Sequence, residues 1–93
     1  MDTVQLDGNN LDAITFTTQN TKILAIRAAH GLLGCGYISV DTAAKVGDAL
    51  AVVSGVSGYE DMLQAPVKAV SPAAEALGIF LGMTGRDALL KML

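Results

Sequence analysis

The sequence predicts an α+β domain in which N-terminal antiparallel strands lead into a mixed sheet that carries three to four short helices. Two features of the chain predict this class. The first third alternates short extended segments with polar turn clusters, which is typical of antiparallel neighbours. From residue 41 onward, apolar strand-like segments alternate with short segments that begin with helix-capping residues.

Three strands are predicted in the N-terminal region: Thr3–Asp7, Leu11–Thr18 and Lys22–Ala28, separated by the turn clusters Gly8-Asn9-Asn10 and Gln19-Asn20-Thr21. In the second strand, Ile14 and Phe16 alternate with threonines, which indicates that one face is buried. The third strand is apolar on both faces, as expected of a central strand or of one that lies between subunits.

The remainder of the chain is expected to be mostly helical, after a glycine-rich segment from His30 to Val40 whose C-terminal part is predicted to be a buried strand. Helices are predicted to begin at Asp41, Ser57, Ser71 and Thr84, with brief strands at Ala51–Val56 and Val67–Val70 between them. The first helix is expected to run to about Leu50 with Val46 facing inward.

The composition is too apolar for a lone domain of this size. The chain has 93 residues, of which 52% are hydrophobic and 16% charged. A folded 9.6 kDa monomer keeps about 5,100 Å² of surface, and so small an interior cannot hold the apolar excess. The simplest location for the surplus is between subunits. We therefore expect residues 1–93 to form one domain, with a strand-rich oligomerisation region at about 1–30 and a mixed strand–helix region at 31–93.

The expected interface follows from the same strands. A small antiparallel meander has unpaired edges, and pairing across a two-fold axis would satisfy them. The apolar side chains that we expect at this interface are Ile14, Phe16, Leu24 and Ile26.

Several functional classes are not expected. The net charge of −3, with six Lys and Arg residues and no basic cluster, argues against nucleic-acid binding. The longest charge-free stretch, Ala28–Val40, has 13 residues, whereas a membrane-spanning helix needs about 20. A single cysteine and the absence of a signal-peptide pattern predict a reducing cytoplasm. We expect no cofactor.

Cys35 and His30 are the first candidates for chemistry. Cys35 lies between two glycines, five residues after the only histidine, and this suggests a thiolate nucleophile with an imidazole base. The alternative is that Cys35 fills a small buried position. An offset of five on a strand also places the two side chains on opposite faces unless a bulge intervenes. One histidine and one cysteine are too few for a structural zinc site, so no metal is expected.

The segment Thr84-Gly85-Arg86 is the second candidate. It opens a predicted helix, where free backbone N–H groups and the helix dipole favour a phosphate or carboxylate. The segment lacks the lysine and spacing of a phosphate-binding P-loop, and a plain N-cap also explains Thr84.

The chain from about residue 20 to 93 resembles an uncharacterised bacterial and archaeal family, the YunC-like family. The motifs that carry the resemblance are His30-Gly31-x-x-x-Cys35-Gly36-Tyr37, Gly55-Val56, Asp61-x-Leu63-x-Ala65-Pro66-Val67 and, most specifically, Ala74-Glu75-x-Leu77-Gly78-Ile79-x-x-Gly82-Met83-Thr84-Gly85-Arg86-x-Ala88-Leu89. The resemblance implies an α+β domain whose N-terminal β region mediates tetramerisation. It implies no activity.

These observations favour a small soluble homo-oligomer, expected to be a tetramer, with a structural or small-ligand-binding role and no identifiable catalytic set. Two alternatives stay open. One is an enzyme with a site centred on Cys35 and His30, and the other is an anion-binding site at Thr84–Arg86.

Overall fold

The computed structural model describes all 93 residues and confirms the α+β class. The strands are β1 (Asp2–Leu6), β2 (Asn9–Thr17), β3 (Lys22–Ala28), β4 (Gly31–Gly34), β5 (Leu50–Val52) and β6 (Ala69–Val70). The helices are α1 (Val40–Val46), α2 (Tyr59–Gln64), α3 (Pro72–Ala76) and α4 (Gly85–Leu90). No helix is long and apolar enough to cross a membrane.

The six strands form one sheet in sequence order, β1-β2-β3-β4-β5-β6. β1 to β4 are antiparallel, β4 and β5 are parallel, and β5 and β6 are again antiparallel. A parallel pair needs a crossover connection, and the segment that contains α1 supplies it. The sheet is therefore mixed, with the antiparallel meander first, as the sequence predicts.

The two faces of the sheet are covered unequally. On one face, a core of 20 buried residues joins β1 to β5 with α2, α3 and α4. On the other face, α1 covers only the β4–β5 end, where Ala43 packs with Leu50 and Val52. The outward side of β1, β2 and β3 has no helix over it. We call this surface the open face, and its central residues are Ile14, Phe16, Ile23 and Ala25.

The first hairpin turns one residue earlier than the sequence predicts. Asp7 and Gly8 both have positive φ, at 49° and 81°, which is the conformation of a two-residue turn that matches the strand twist. Asn9 therefore already belongs to β2, where it pairs with Leu6.

The prediction for the segment from Gly31 to Leu50 is partly wrong. The strand is the N-terminal part of the glycine-rich segment, Gly31–Gly34, and not the C-terminal part that ends at Val40. Glycine is required at its first position, because a Cβ on Gly31 would lie 2.9 Å from the Ala49 carbonyl oxygen. Ser39, not Asp41, caps α1, and Gly47, at φ 85°, ends it. The predicted helix thus stops before Leu50, which enters β5, and Val46 is exposed.

α3 and α4 begin where the sequence predicts, whereas the cap of α2 is Gly58 and not the predicted Ser57. The Ser71 hydroxyl accepts a hydrogen bond from the Ala74 N–H and caps α3. The Thr84 hydroxyl accepts from the Asp87 N–H and caps α4 in the same way. Gly58 precedes α2 without a side-chain cap. Ser57 does not cap α2, and its hydroxyl and N–H instead donate to the Asp61 carboxylate.

Candidate functional site

The structure places His30 and Cys35 at opposite ends of β4. His30 lies in the turn before the strand and is exposed, and its backbone N–H donates to the Met92 carbonyl at 2.8 Å. Cys35 directly follows the strand, so about 16 Å of extended chain separates the two residues. A nucleophile–base pair within one chain is therefore wrong, because the imidazole cannot reach the thiol.

Cys35 has a structural role. It is buried and free, its N–H donates to the Leu24 carbonyl at 3.0 Å, and its Sγ accepts from the Leu24 N–H at 3.3 Å. The sulfur thus pairs a backbone donor that would otherwise be unsatisfied at the end of the β3–β4 ladder.

Each residue of the segment Thr84–Arg86 has a partner within the chain. The Thr84 hydroxyl accepts from the Asp87 N–H at 3.1 Å and caps α4. Gly85 is buried, and a Cβ at that position would collide with the Met62 carbonyl oxygen. The Arg86 guanidinium donates to Asp7 Oδ1 at 2.7 Å. A bound anion would have to compete with this carboxylate, so the local geometry favours a plain N-cap.

No three His, Cys, Asp or Glu side chains gather in a group that could hold a metal ion. A cleft of about 500 Å³ lies at the β3–β4 turn, lined by Arg27, His30, Asp48 and Leu77 among others. Arg27 is already paired with Asp12, at 2.6 Å. No pattern in the sequence indicates that Asp48 shares a cleft with His30, because only the parallel pairing of β4 with β5 brings the two loops together.

A hydrogen-bonded chain connects α2 to the first two strands. Thr15 donates to Tyr59 Oη at 2.8 Å, and Tyr59 in turn donates to Asp2 Oδ2 at 2.7 Å. Burial raises the pKa of the Tyr59 phenol above 10.0; the Thr15 bond opposes this shift, whereas the Asp2 carboxylate adds to it. These bonds fix where α2 lies beside the edge of the sheet.

Asp61 forms a second polar contact at the start of α2. The hydroxyl and N–H of Ser57 donate to Asp61 Oδ2 at 2.8 and 3.2 Å. Both bonds favour the charged carboxylate, so they hold the pKa of Asp61 below 3.8.

The open face contains two of the four residues that we expected at an interface. Ile14 is 45% exposed and Phe16 is 67% exposed, and they lie on the same side of β2. Their register partners on β3 are Ala25 and Ile23, which extend the apolar surface. Leu24 and Ile26 are 1% and 0% exposed because they point into the protomer core. Their assignment to the interface is therefore wrong.

Comparison with known proteins identifies relatives but no activity. Residues 34–92 match the family described as "Domain of unknown function (DUF1805)". The chain is 34% identical over 94 residues to "Uncharacterized protein YunC" of Bacillus subtilis (strain 168), covering 97% of this chain and 93% of that protein. A crystal structure of a protein of unknown function, TA1206 from Thermoplasma acidophilum, matches with a TM-score of 0.93 at 32% identity. That match covers 99% of this chain and 90% of the other.

Proposed function

We propose that this chain, which belongs to the DUF1805 family, is a small homo-oligomeric domain without chemistry of its own. The description of the family names no activity. The assembly is a tetramer formed through the N-terminal β region, with the open face as one of its contacts, and its role is structural or the binding of a small ligand. The tetrameric state rests on the resemblance to the YunC-like family, whose N-terminal β region is expected to mediate it.

The observation that carries the proposal is the exposure of Ile14 and Phe16 side by side on a strand. The protomer keeps 5,199 Å² of surface, close to the roughly 5,100 Å² of a compact monomer of this mass. Its exposed apolar groups therefore do not result from loose packing. A contiguous apolar patch on an uncovered sheet face is typical of a surface that meets another protein.

The open face also has the anatomy of an interface. Ile14 and Phe16 lie at its centre, and an ion pair between Arg27 and Asp12 lies beside them on the same side of the sheet. An apolar centre with a polar rim is the usual arrangement of a subunit contact. Two such faces packed about 10 Å apart would bury both copies of Phe16.

The cleft beside His30 supports the ligand-binding part of the proposal. It lies on the loops at one end of the sheet, where Arg27 and His30 supply nitrogen donors and Leu77 supplies an apolar wall. A cleft of about 500 Å³ is within the range of small-molecule sites. A cytoplasmic location is also part of the proposal, supported by the free thiol of Cys35.

Fluorine NMR tests the use of the open face, because the chain has two phenylalanines, Phe16 and Phe80. Both side chains are largely exposed in the protomer, at 67% and 61%. With fluorophenylalanine incorporated, we expect the Phe80 signal to shift on exchange from H₂O to D₂O and the Phe16 signal to shift much less. Equal solvent shifts for the two signals would contradict the proposal.

A further inference from the structure

A pocket lies at the carboxyl ends of β4 and β5, the parallel pair of the sheet. The loop after β4 leads to α1 on one face of the sheet, whereas the loop after β5 leads to α2 on the other face. Two loops that leave parallel strands toward opposite faces have a crevice between them, and open α/β sheets bind their ligands in such crevices.

The pocket has a volume of about 240 Å³. It is formed by residues 35–37 of the first loop, residues 54–56 of the second loop, and Thr21 and Lys22 at the start of β3. We call it the strand-end pocket. Both loops lie outside the N-terminal β region proposed for assembly. The cleft beside His30 lies at the other end of β4, so the two are separate sites.

The strand-end pocket is rich in free hydrogen-bond donors. The backbone N–H groups of residues 36, 37 and 54–56 donate to no other atom of the chain. The Ser54 hydroxyl likewise forms no hydrogen bond within the chain. Donors that have no acceptor in the fold are available to a ligand that carries acceptor atoms.

The charge of the strand-end pocket is positive. Lys22 is the single charged residue that lines it, although the chain as a whole has a net charge of −3. The Lys22 Nζ donates to the Ser57 carbonyl at 3.4 Å, which holds the ammonium group beside the second loop and leaves two of its three donors free. The carboxylate of Asp61 accepts from Ser57 and does not line the pocket.

We propose that the strand-end pocket binds the phosphate group of a small phosphorylated molecule. A phosphomonoester carries about two negative charges and three strong acceptor oxygens, which match a set of backbone N–H, hydroxyl and ammonium donors. Pockets that enclose drug-sized ligands have volumes of about 300–1,000 Å³. At about 240 Å³, this pocket is suited to a phosphate with few atoms attached.

Gly36 keeps the crevice between the two loops open. A Cβ on Gly36 would lie 3.7 Å from the Ser54 Cβ, which is ordinary van der Waals contact. Packing therefore permits a side chain at this position, unlike at Gly85. A larger side chain on Gly36 would extend between the loops and cover the free N–H groups, so glycine at this position allows a ligand to approach the backbone closely.

Amide-resolved NMR titration of the full chain with inorganic phosphate, at constant ionic strength, tests the proposal. We expect saturable shift changes at the amides of residues 36, 37 and 54–56, with half-saturation at millimolar phosphate. Glycerol phosphate should shift the same amides. Acetate should bind more weakly because it has fewer acceptor oxygens, and chloride should produce no saturable shift.

Lys22→Gln should weaken phosphate binding about fivefold, as expected for the loss of one exposed charge contact, whereas Lys22→Arg should retain it. Lys45→Gln is the matched control, because Lys45 is an exposed lysine on α1 that does not line the pocket. It should leave the affinity unchanged. Gly36→Leu should abolish binding while the melting temperature stays that of the parent protein.

The proposal is overturned if millimolar phosphate shifts none of the pocket amides, or if chloride shifts them equally. It is also overturned if Lys22→Gln and Lys45→Gln bind phosphate alike. A third contradiction would be a shift of these amides when the protein alone is concentrated, because a second copy would then occupy the pocket.

Discussion

Replacing Phe16 with threonine should dissociate the proposed oligomer while leaving the protomer folded. A phenylalanine side chain has about 200 Å² of surface, and Phe16 is 67% exposed in the protomer. An interface that covers it removes about 130 Å² of apolar surface from water, which is worth about 3 kcal/mol. Threonine keeps a high strand propensity, so β2 should persist.

A two-fold contact contains two copies of Phe16, so the upper estimate for the substitution is about 6 kcal/mol. Incomplete burial at a real interface lowers this value, and half of it still weakens association more than about a hundredfold. Sedimentation equilibrium of Phe16→Thr over a micromolar concentration series measures the loss, and circular dichroism checks the fold.

Phe80→Thr is the matched control, since Phe80 is an equally exposed phenylalanine that lies in the loop between α3 and α4. It should keep the mass of the parent protein. If Phe16→Thr also keeps that mass, or if both variants dissociate to the same extent, the open face is not the interface.

Three further outcomes follow from the protomer. Gly85→Ala should destabilise the fold by about 3 kcal/mol or more in urea denaturation, because the new Cβ meets the Met62 backbone. The control is Gly58→Ala, which should cost less than about 1 kcal/mol because a Cβ at Gly58 would have open space around it. Iodoacetamide should label Cys35 about a hundredfold faster in urea than in the native protein, since the thiol is buried; equal rates would contradict this burial. The lowered pKa of Asp61 contributes stability above pH 3.8, and this stability is lost as the pH falls through the pKa of the folded state. Asp61→Asn should therefore reduce the difference between the urea midpoints at pH 7 and pH 3. An unchanged difference would count against the Ser57 contacts.

The elements that local sequence determines were predicted well. β3 has the predicted bounds, Lys22–Ala28, and the Ser71 and Thr84 caps begin their helices as predicted. Alternation and capping act over a few residues, so the sequence displays them directly. The glycine-rich segment was predicted less well. Glycine is needed at Gly31 and Gly34 because a Cβ there would collide with atoms of Ala49 and Ile38, which only the folded chain brings near.

The candidate interface shows a similar limit. β3 is apolar on both faces, so its sequence does not distinguish Leu24 and Ile26 from Ile23 and Ala25. Pairing with β2 and the position of the helices decide which set faces the core. Likewise, the closeness of His30 and Cys35 in sequence suggested a pair, but an intervening extended strand holds them apart. The edge position of β1 follows only from the strand order.

The mass of the parent protein in solution tests the central claim most directly. Light scattering on the full chain at micromolar concentration should give about four times the protomer mass of 9.6 kDa. A mass of one protomer that does not rise with concentration would contradict an assembly built through the open face.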